Sequence, residues 1–149
     1  MPSLETIAPF ELRGLSCRTS NAAEFDRERP EQGRIGPLWQ AFSSAGLQGE
    51  VFGAYFEYAD RHHGEYSVLA GIRSMDGQSA PAAERTVQVP GGHYLAFEAQ
   101  GPLPAALIQA WGEVWSHFEQ AGAPKRAYGV DFERYLSPSH ARIYIGLAE

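Results

Sequence analysis

Two segments of this chain, 76 residues apart, share one pattern of large and small residues. GPLWQAFSSAG (36–46) aligns with GEVWSHFEQAG (112–122), and five of the eleven positions are identical. The register continues across the next segment without a gap, where it pairs Gly53, Phe56 and Glu57 with Gly129, Phe132 and Glu133. Such continuity indicates an internal duplication rather than two unrelated amphipathic helices. The chain should therefore contain two copies of one small unit.

Each copy has the pattern of a strand, a helix and two further strands. In the second copy the apolar residues with helical spacing are Leu107, Trp111, Val114, Trp115 and Phe118. TVQVP and HYLAFEA precede this helix, and RAYGVDFERYL and ARIYIGL, which alternate as strands do, follow it. In the first copy we expect a strand near 12–19, a helix over 37–45, and strands in VFGAYFEYA and YSVLAGI.

These units predict an α+β fold. One such unit cannot bury its apolar faces alone, so two copies should pack around a pseudo-twofold axis. We expect one domain over 1–149, with lobe 1 at about 1–74 and lobe 2 at about 84–149, antiparallel sheets, helices on one face and a cleft between the lobes. The charged segment NAAEFDRERPEQGRIG and the segment RSMDGQSAPAAE are expected to be surface connections.

Composition excludes several classes of function. The net charge is −6 and the 12 Lys and Arg residues are scattered, which argues against a nucleic-acid-binding face. The N-terminal residues lack the basic and apolar regions of a signal peptide, and the apolar runs are too short to span a membrane. The single cysteine, Cys17, is expected to be an inert thiol in a reducing compartment. We therefore predict a cytoplasmic protein.

Strand alternation assigns side chains to two faces of the sheet. The face expected to lie under the helices carries Phe52, Ala54, Phe56, Tyr58, Tyr128, Val130, Phe132 and Arg134. The opposite face would carry Tyr55, Glu57, Asp131, Glu133 and Tyr135, with Tyr94 and Tyr144 from neighbouring strands. An ordinary solvated sheet surface would explain the acids but not so many tyrosines.

Carboxylates among aromatic rings can hold a bulky organic cation, because the ring faces and the negative charge attract it without strict hydrogen-bond geometry. Glu57 and Glu133 are repeat mates and should approach the cleft from opposite sides. Trp39 and Trp115 are expected in the core. Trp111 has Ile35 as its counterpart in the other copy, so it is the tryptophan with the best claim to a cleft role.

The sequence has no pattern typical of a metal site, a phosphate-binding loop or a catalytic nucleophile. None of the five histidines has a second ligand at metal-site spacing, and no glycine-rich phosphate loop or nucleophile elbow is present. We predict no metal, no cofactor and no catalytic residue with a partner at a defined spacing.

The chain resembles the gyrase-inhibitor-like effector-binding family, and more narrowly its stand-alone, integron-associated branch. The resemblance lies in GLSCRTS, IGPLWQAF, AYFEYADRHHGEYSVLAG, VPGGHYLAFEAQG, the tryptophan-containing second helix, DFERYL and IYIGL. It implies a ligand cleft lined by aromatic residues and centred on an acidic residue, whose position Glu133 in DFERY matches. The assignment of Tyr55, Tyr94 and Tyr144 to the site comes from the face argument.

Three functions are compatible with this resemblance. A binding module for amphipathic or cationic, drug-like small molecules could act as a sensor, a buffer or a contact for a protein partner. A hydrolase of strained electrophilic toxins would use the cleft glutamate to activate water. An inhibitor of a DNA-handling enzyme would need a large exposed patch, which the sequence does not indicate. Because the predicted fold starts within the first dozen residues, we expect the chain not to bind DNA itself. The sequence favours the binding module.

Overall fold

The computed structural model describes residues 2–61, 63–74 and 83–148. It has eight antiparallel strands in one sheet and three helices. The strands are β1 (Ser3–Ile7), β2 (Phe10–Ser20), β3 (Val51–Phe56), β4 (Glu65–Arg73), β5 (Arg85–Val89), β6 (Gly92–Gln100), β7 (Asp131–Ser137) and β8 (His140–Gly146). The helices are α1 (Asn21–Glu24), α2 (Ile35–Ala45) and α3 (Ala105–Glu119), with a 3-10 turn at Pro30–Gln32.

The strand order is β1-β6-β8-β7-β3-β4-β2-β5, so the two halves of the chain join through the central pair β3 and β7. Ala8 and Pro9 alone connect β1, at one edge, to β2, near the other edge. Pro90 and Gly91 likewise connect β5 to β6. Two-residue connections between distant strands require the sheet to curl into a half-barrel, and they divide it into an inner and an outer face.

The edge strands differ from the sequence prediction. β5 was predicted as part of lobe 2, but it pairs with β2 of the first half. The N-terminal strand β1, which the sequence analysis did not predict, pairs with β6 of the second half. The halves therefore share one continuous sheet instead of forming separate sheets. The duplication stays a prediction.

The two longer helices lie where the apolar spacing placed them. α2 packs over β2 and β4, and α3 packs over β6 and β8, so the central pair β3–β7 lies between them on the outer face. Glu24 accepts hydrogen bonds from the first amides of α2, Arg34 N at 2.7 Å and Ile35 N at 3.3 Å. α2 ends at Ala45 and is followed by Gly46, whose φ of 70° is a left-handed conformation that glycine adopts without strain.

The helix-covered face is the opposite of the one predicted. Phe52, Ala54, Phe56 and Phe132 lie on the inner face, in a core that the helices do not contact. The helices cover the outer face, which carries Glu133. Both faces of the central strands are buried, so alternation alone could not show which face a helix would cover.

The charged segment 21–36 is more than a surface connection. It forms α1, the 3-10 turn and the start of α2. The other predicted connection lies mostly outside the described residues, which omit 75–82. Among the described residues, no helix has the length and apolar character needed to cross a membrane.

Candidate functional site

Glu133 lies in the middle of the sheet with its carboxylate almost fully buried, at 1% exposure. Three neutral side chains donate hydrogen bonds to it. Tyr55 Oη and Trp111 Nε1 donate to Oε2 at 2.9 and 2.6 Å, and Tyr135 Oη donates to Oε1 at 2.6 Å. Within the described residues, these three hydrogen bonds solvate the carboxylate and no positively charged side chain pairs with it.

Burial raises the pKa of Glu133 above its ordinary value, although the three hydrogen bonds oppose the shift. Burial also raises the pKa values of Tyr55 and Tyr135, so both phenols keep their protons and remain donors. The negative charge of Glu133 is thus costly in the empty protein, and a positive charge nearby would offset that cost.

Gly53 supplies the room for this carboxylate. It lies directly opposite Glu133 in the β3–β7 ladder. A Cβ added at Gly53 would lie 2.8 Å from Oε1 of Glu133 and 3.2 Å from the Trp39 ring. Trp39 in turn packs on Tyr135, with ring centroids 5.2 Å apart. The absence of a side chain at position 53 therefore allows the carboxylate and its donors to close together.

A small pocket, with a cavity volume of about 70 Å³, opens on the outer face between α3 and the segment that contains α1. Its walls are mainly aromatic, and its lining residues are Asn21, Glu24, Phe25, Ile35, Tyr55, Tyr58, Tyr66, Trp111, Trp115 and Arg126. The rings form a connected set: Tyr55 is 5.1 Å from Trp111 and 5.9 Å from Tyr66, and Phe25 is 5.7 Å from Trp115. Glu133 lies one layer behind this wall.

A second buried carboxylate, Asp131, lies on the same face of β7 two residues before Glu133. Arg126 forms a salt bridge to Asp131 Oδ2 at 2.7 Å, and Tyr58 Oη donates to the same oxygen at 2.6 Å. The Gly146 amide donates to Oδ1 at 2.9 Å. Unlike Glu133, Asp131 has a charged partner within the protein.

The family model described as integron-associated effector-binding protein, Cass2, matches residues 3–147. The chain belongs to this family. An integron cassette protein from the mobile metagenome of Vibrio cholerae is 32% identical with a TM-score of 0.85, covering 99% of this chain and 95% of that one. YobU of Bacillus subtilis, described as a candidate transcriptional regulator, is 28% identical over 145 residues, 91% of this chain and 89% of YobU.

The protein SAV2435, whose structure was solved bound to tetraphenylphosphonium, shares the fold. Its TM-score is 0.77 at 22% identity, over 99% of this chain and 94% of that one. Family membership agrees with the resemblance derived from the sequence, and it supports the binding of a small-molecule effector.

The structure brings together some of the predicted site residues of this effector-binding protein. Tyr55 and Trp111 line the pocket, and Glu133 lies directly behind them. Glu57 lies beyond the end of β3, half-exposed, where Arg85 pairs with it at 2.8 Å. It does not approach the pocket, so the expected symmetry of the two glutamates is wrong.

Tyr94 and Tyr144 lie on the inner face and not beside Glu133. Tyr144 stacks on Phe132 at 4.6 Å, and Tyr94 packs against the same ring at 5.4 Å. Phe132 and Glu133 are consecutive in β7, so their side chains point to opposite faces. The placement of both tyrosines on the face of Glu133 is therefore wrong.

The sequence analysis missed much of the pocket wall. Asn21, Glu24 and Phe25 come from the charged segment that looked like a connection, and Arg126 comes from the coil before β7. Trp115, assigned to the core, lines the pocket one helical turn after Trp111. That i, i+4 spacing of two tryptophans on α3 is a signal that could have identified this wall.

Cysteine and metal chemistry have no geometric support in the described part of the chain. Cys17 is half-buried, and burial raises the pKa of its thiol, which disfavours the reactive thiolate. No group of three or more His, Cys, Asp and Glu side chains in the described ranges is placed to hold a metal ion.

Proposed function

We propose that this protein binds amphipathic organic cations in the aromatic pocket and that Glu133 supplies the negative charge that attracts them. The observation that carries the proposal is the double role of Tyr55 and Trp111. Both side chains line the pocket, and both donate hydrogen bonds to Glu133. A cation packed against these rings would lie one hydrogen-bond layer from a buried carboxylate.

Physical chemistry supports a cation rather than a neutral ligand. Ring faces attract positive charge, and a desolvated site strengthens that attraction. Two unit charges about 6 Å apart at an effective dielectric near 20 interact by roughly 3 kcal/mol. The binding of tetraphenylphosphonium, a large aromatic cation, by the structural neighbour SAV2435 is consistent with this ligand class.

The alternative, a hydrolase that uses Glu133 as a general base, has less support. Oε2 already accepts two hydrogen bonds, and Oε1 accepts one from Tyr135. Glu133 is also only 1% exposed, so a nucleophilic water has little space beside the carboxylate. A general base must reach the proton that it removes.

Strand order supports the proposed duplication. Exchanging β1–β4 with β5–β8 reproduces the sheet order read from its other end. Tyr55 and Asp131, which the 76-residue offset pairs, lie directly opposite each other in the ladder. We infer that the pocket developed near the axis of a duplicated fold and that, among the described residues, buried acids were kept in the second copy only.

The role of this binding is proposed as capture or sensing of the ligand in the cytoplasm, without direct binding to nucleic acid or membrane. The relationship to YobU fits a sensing role. A protein partner would read the occupied state.

Calorimetry with methyltriphenylphosphonium and the neutral triphenylphosphine oxide tests the proposal. Glu133→Gln keeps the shape and can still accept from Trp111, but it removes the charge. We expect about tenfold to hundredfold weaker binding of the cation and less than about threefold change for the oxide. Glu57→Gln, a change in an exposed acid, is the matched control and should leave both affinities unchanged. Equal losses for both compounds with Glu133→Gln would contradict a charge-based site.

A further inference from the structure

A positively charged residue in the wall of a site for cations requires an explanation. Arg126 lines the aromatic pocket and also an adjoining groove formed with His63, Phe118, Glu119 and Tyr128. Its side chain is 4% exposed. The arginine is therefore part of the inner surface that a ligand would contact and not a solvated residue at the rim.

The hydrogen-bonding capacity of Arg126 is mostly unused. Nη2 donates to Asp131 Oδ2 at 2.7 Å, and Asp131 is the one hydrogen-bonding partner of the guanidinium in the described part of the chain. Nε is buried and has no hydrogen-bonding partner among the residues that the structure describes. A guanidinium carries five N–H donors in a planar fork, and buried donors are normally satisfied.

Aromatic rings enclose the guanidinium but do not replace an acceptor. The Tyr128 ring lies 4.4 Å from Cζ, and the rings of Phe118 and Tyr58 lie 5.8 and 5.9 Å from it. These contacts stabilise the positive charge and hold the guanidinium in place. An oxygen acceptor that reached Nε would satisfy a buried donor that has no partner among the described residues.

We propose that Arg126 forms an acceptor subsite of the pocket, so that the preferred ligands are aromatic zwitterions with a carboxylate in addition to their positive charge. This inference rests on the proposed function because it adds a second contact to the same pocket. The partner of Arg126, Asp131, is two residues from Glu133 on one strand face, a spacing of roughly 7 Å. The two charges of a compact dye can bridge that distance.

A purely structural salt bridge predicts a different behaviour. If Arg126 only neutralises Asp131, a carboxylate on the ligand would gain nothing and would be repelled by Glu133. An acceptor subsite predicts that the carboxylate is tolerated or preferred. Comparing ligands with and without a carboxylate therefore distinguishes a purely structural Arg126 from one that forms an acceptor subsite.

Rhodamine 110, which has a free carboxylate, and rhodamine 123, its cationic methyl ester, are matched probes for fluorescence anisotropy at pH 7.4. We expect the wild-type protein to bind the acid at least as tightly as the ester. Arg126→Lys keeps the charge beside Asp131 but removes the planar fork. It should weaken binding of the acid about tenfold and binding of the ester less than about twofold, because hydrogen bonds to charged groups are the strong ones.

A thermal melt of each variant comes first. If Arg126→Lys does not fold, the double variant Arg126→Met with Asp131→Asn replaces it, since this variant leaves no unpaired buried charge. Markedly weaker binding of the acid by the wild type, or equal losses for both dyes in the variant, would overturn the subsite.

Glu133→Gln separates this inference from the proposed function. If this change weakens both dyes and the Arg126 variants do not discriminate between them, the cation pocket stands and the acceptor subsite fails. If the Arg126 variants discriminate and Glu133→Gln has no effect, the subsite stands and the role of Glu133 fails. Failure of the wild type to bind either dye would overturn both.

Discussion

Two buried carboxylates on one face of β7 have opposite electrostatic environments. Asp131 is fully buried and accepts from Arg126, Tyr58 and the Gly146 amide. Glu133, two residues later, is equally buried and also has three donors, but all of them are neutral. The number of hydrogen bonds is the same, and the difference is one positive charge.

This difference separates a structural acid from one that can bind a charge. The protein neutralises Asp131 with its own arginine, and that salt bridge connects β7 to the coil that precedes it. No positively charged side chain in the described part of the chain pairs with Glu133, so burial outweighs its three hydrogen bonds and raises its pKa. A cation in the neighbouring pocket would supply the missing partner.

The largest expected effect comes from Asp131→Ala. This change leaves Arg126 buried without its counter-charge and should lower the free energy of unfolding by about 3–5 kcal/mol. Glu133→Gln, which leaves no charge unpaired, should change it by less than about 1 kcal/mol. Urea denaturation of the two variants measures both. Similar decreases in the free energy of unfolding for the two variants would contradict the distinction between Asp131 and Glu133.

A smaller effect is expected from Gly53→Ala. The added Cβ would lie 2.8 Å from Oε1 of Glu133, and overpacking of this kind costs about 1–3 kcal/mol. It should also weaken cation binding, because the carboxylate must move away from its donors. Gly129→Ala is the matched control at the repeat-related glycine, where an added Cβ meets no atom within 4 Å. Equal destabilisation by the two changes would show that backbone freedom, and not the room for Glu133, explains Gly53.

The smallest effect distinguishes the two faces of the sheet. Tyr55→Phe removes one donor to Glu133 but keeps the ring in the pocket wall. The affinity for methyltriphenylphosphonium should therefore fall by about threefold to tenfold. Tyr144→Phe changes a ring on the inner face and should leave that affinity within about twofold. Calorimetry on both variants provides the comparison. A larger loss for Tyr144→Phe would return the site to the inner face.

Much of the fold could be predicted because apolar spacing reports on burial. Trp39 and Trp115 each occupy a position with the apolar spacing of a helix, and each lies in a helix of the structure. The grouping of Tyr55, Asp131, Glu133 and Tyr135 on one face also followed from alternation. Alternation within a strand does not show which face the helices cover, and that choice was wrong. It also does not give the register between strands, which pairs Tyr144 with Phe132 and so places Tyr94 and Tyr144 on the inner face.

The remaining errors concern contacts between distant segments. The segment 21–36 is charged, yet Phe25 crosses to Trp115 and Glu24 caps α2. No local pattern indicates such contacts. Likewise, the repeat suggested that Glu57 would mirror Glu133, but β3 ends at Phe56, so Glu57 leaves the ladder and pairs with Arg85 at the surface.

The most direct test of the account is the pKa of Glu133, measured by carbon-13 NMR of its side-chain carboxyl with and without methyltriphenylphosphonium. Because the folded pKa is raised, protonation stabilises the native state as the pH falls through it, and cation binding should weaken over the same pH range. The account predicts a raised pKa in the free protein that falls by about one unit or more on binding, since one unit corresponds to about 1.4 kcal/mol. A pKa that the bound cation leaves unchanged would contradict it.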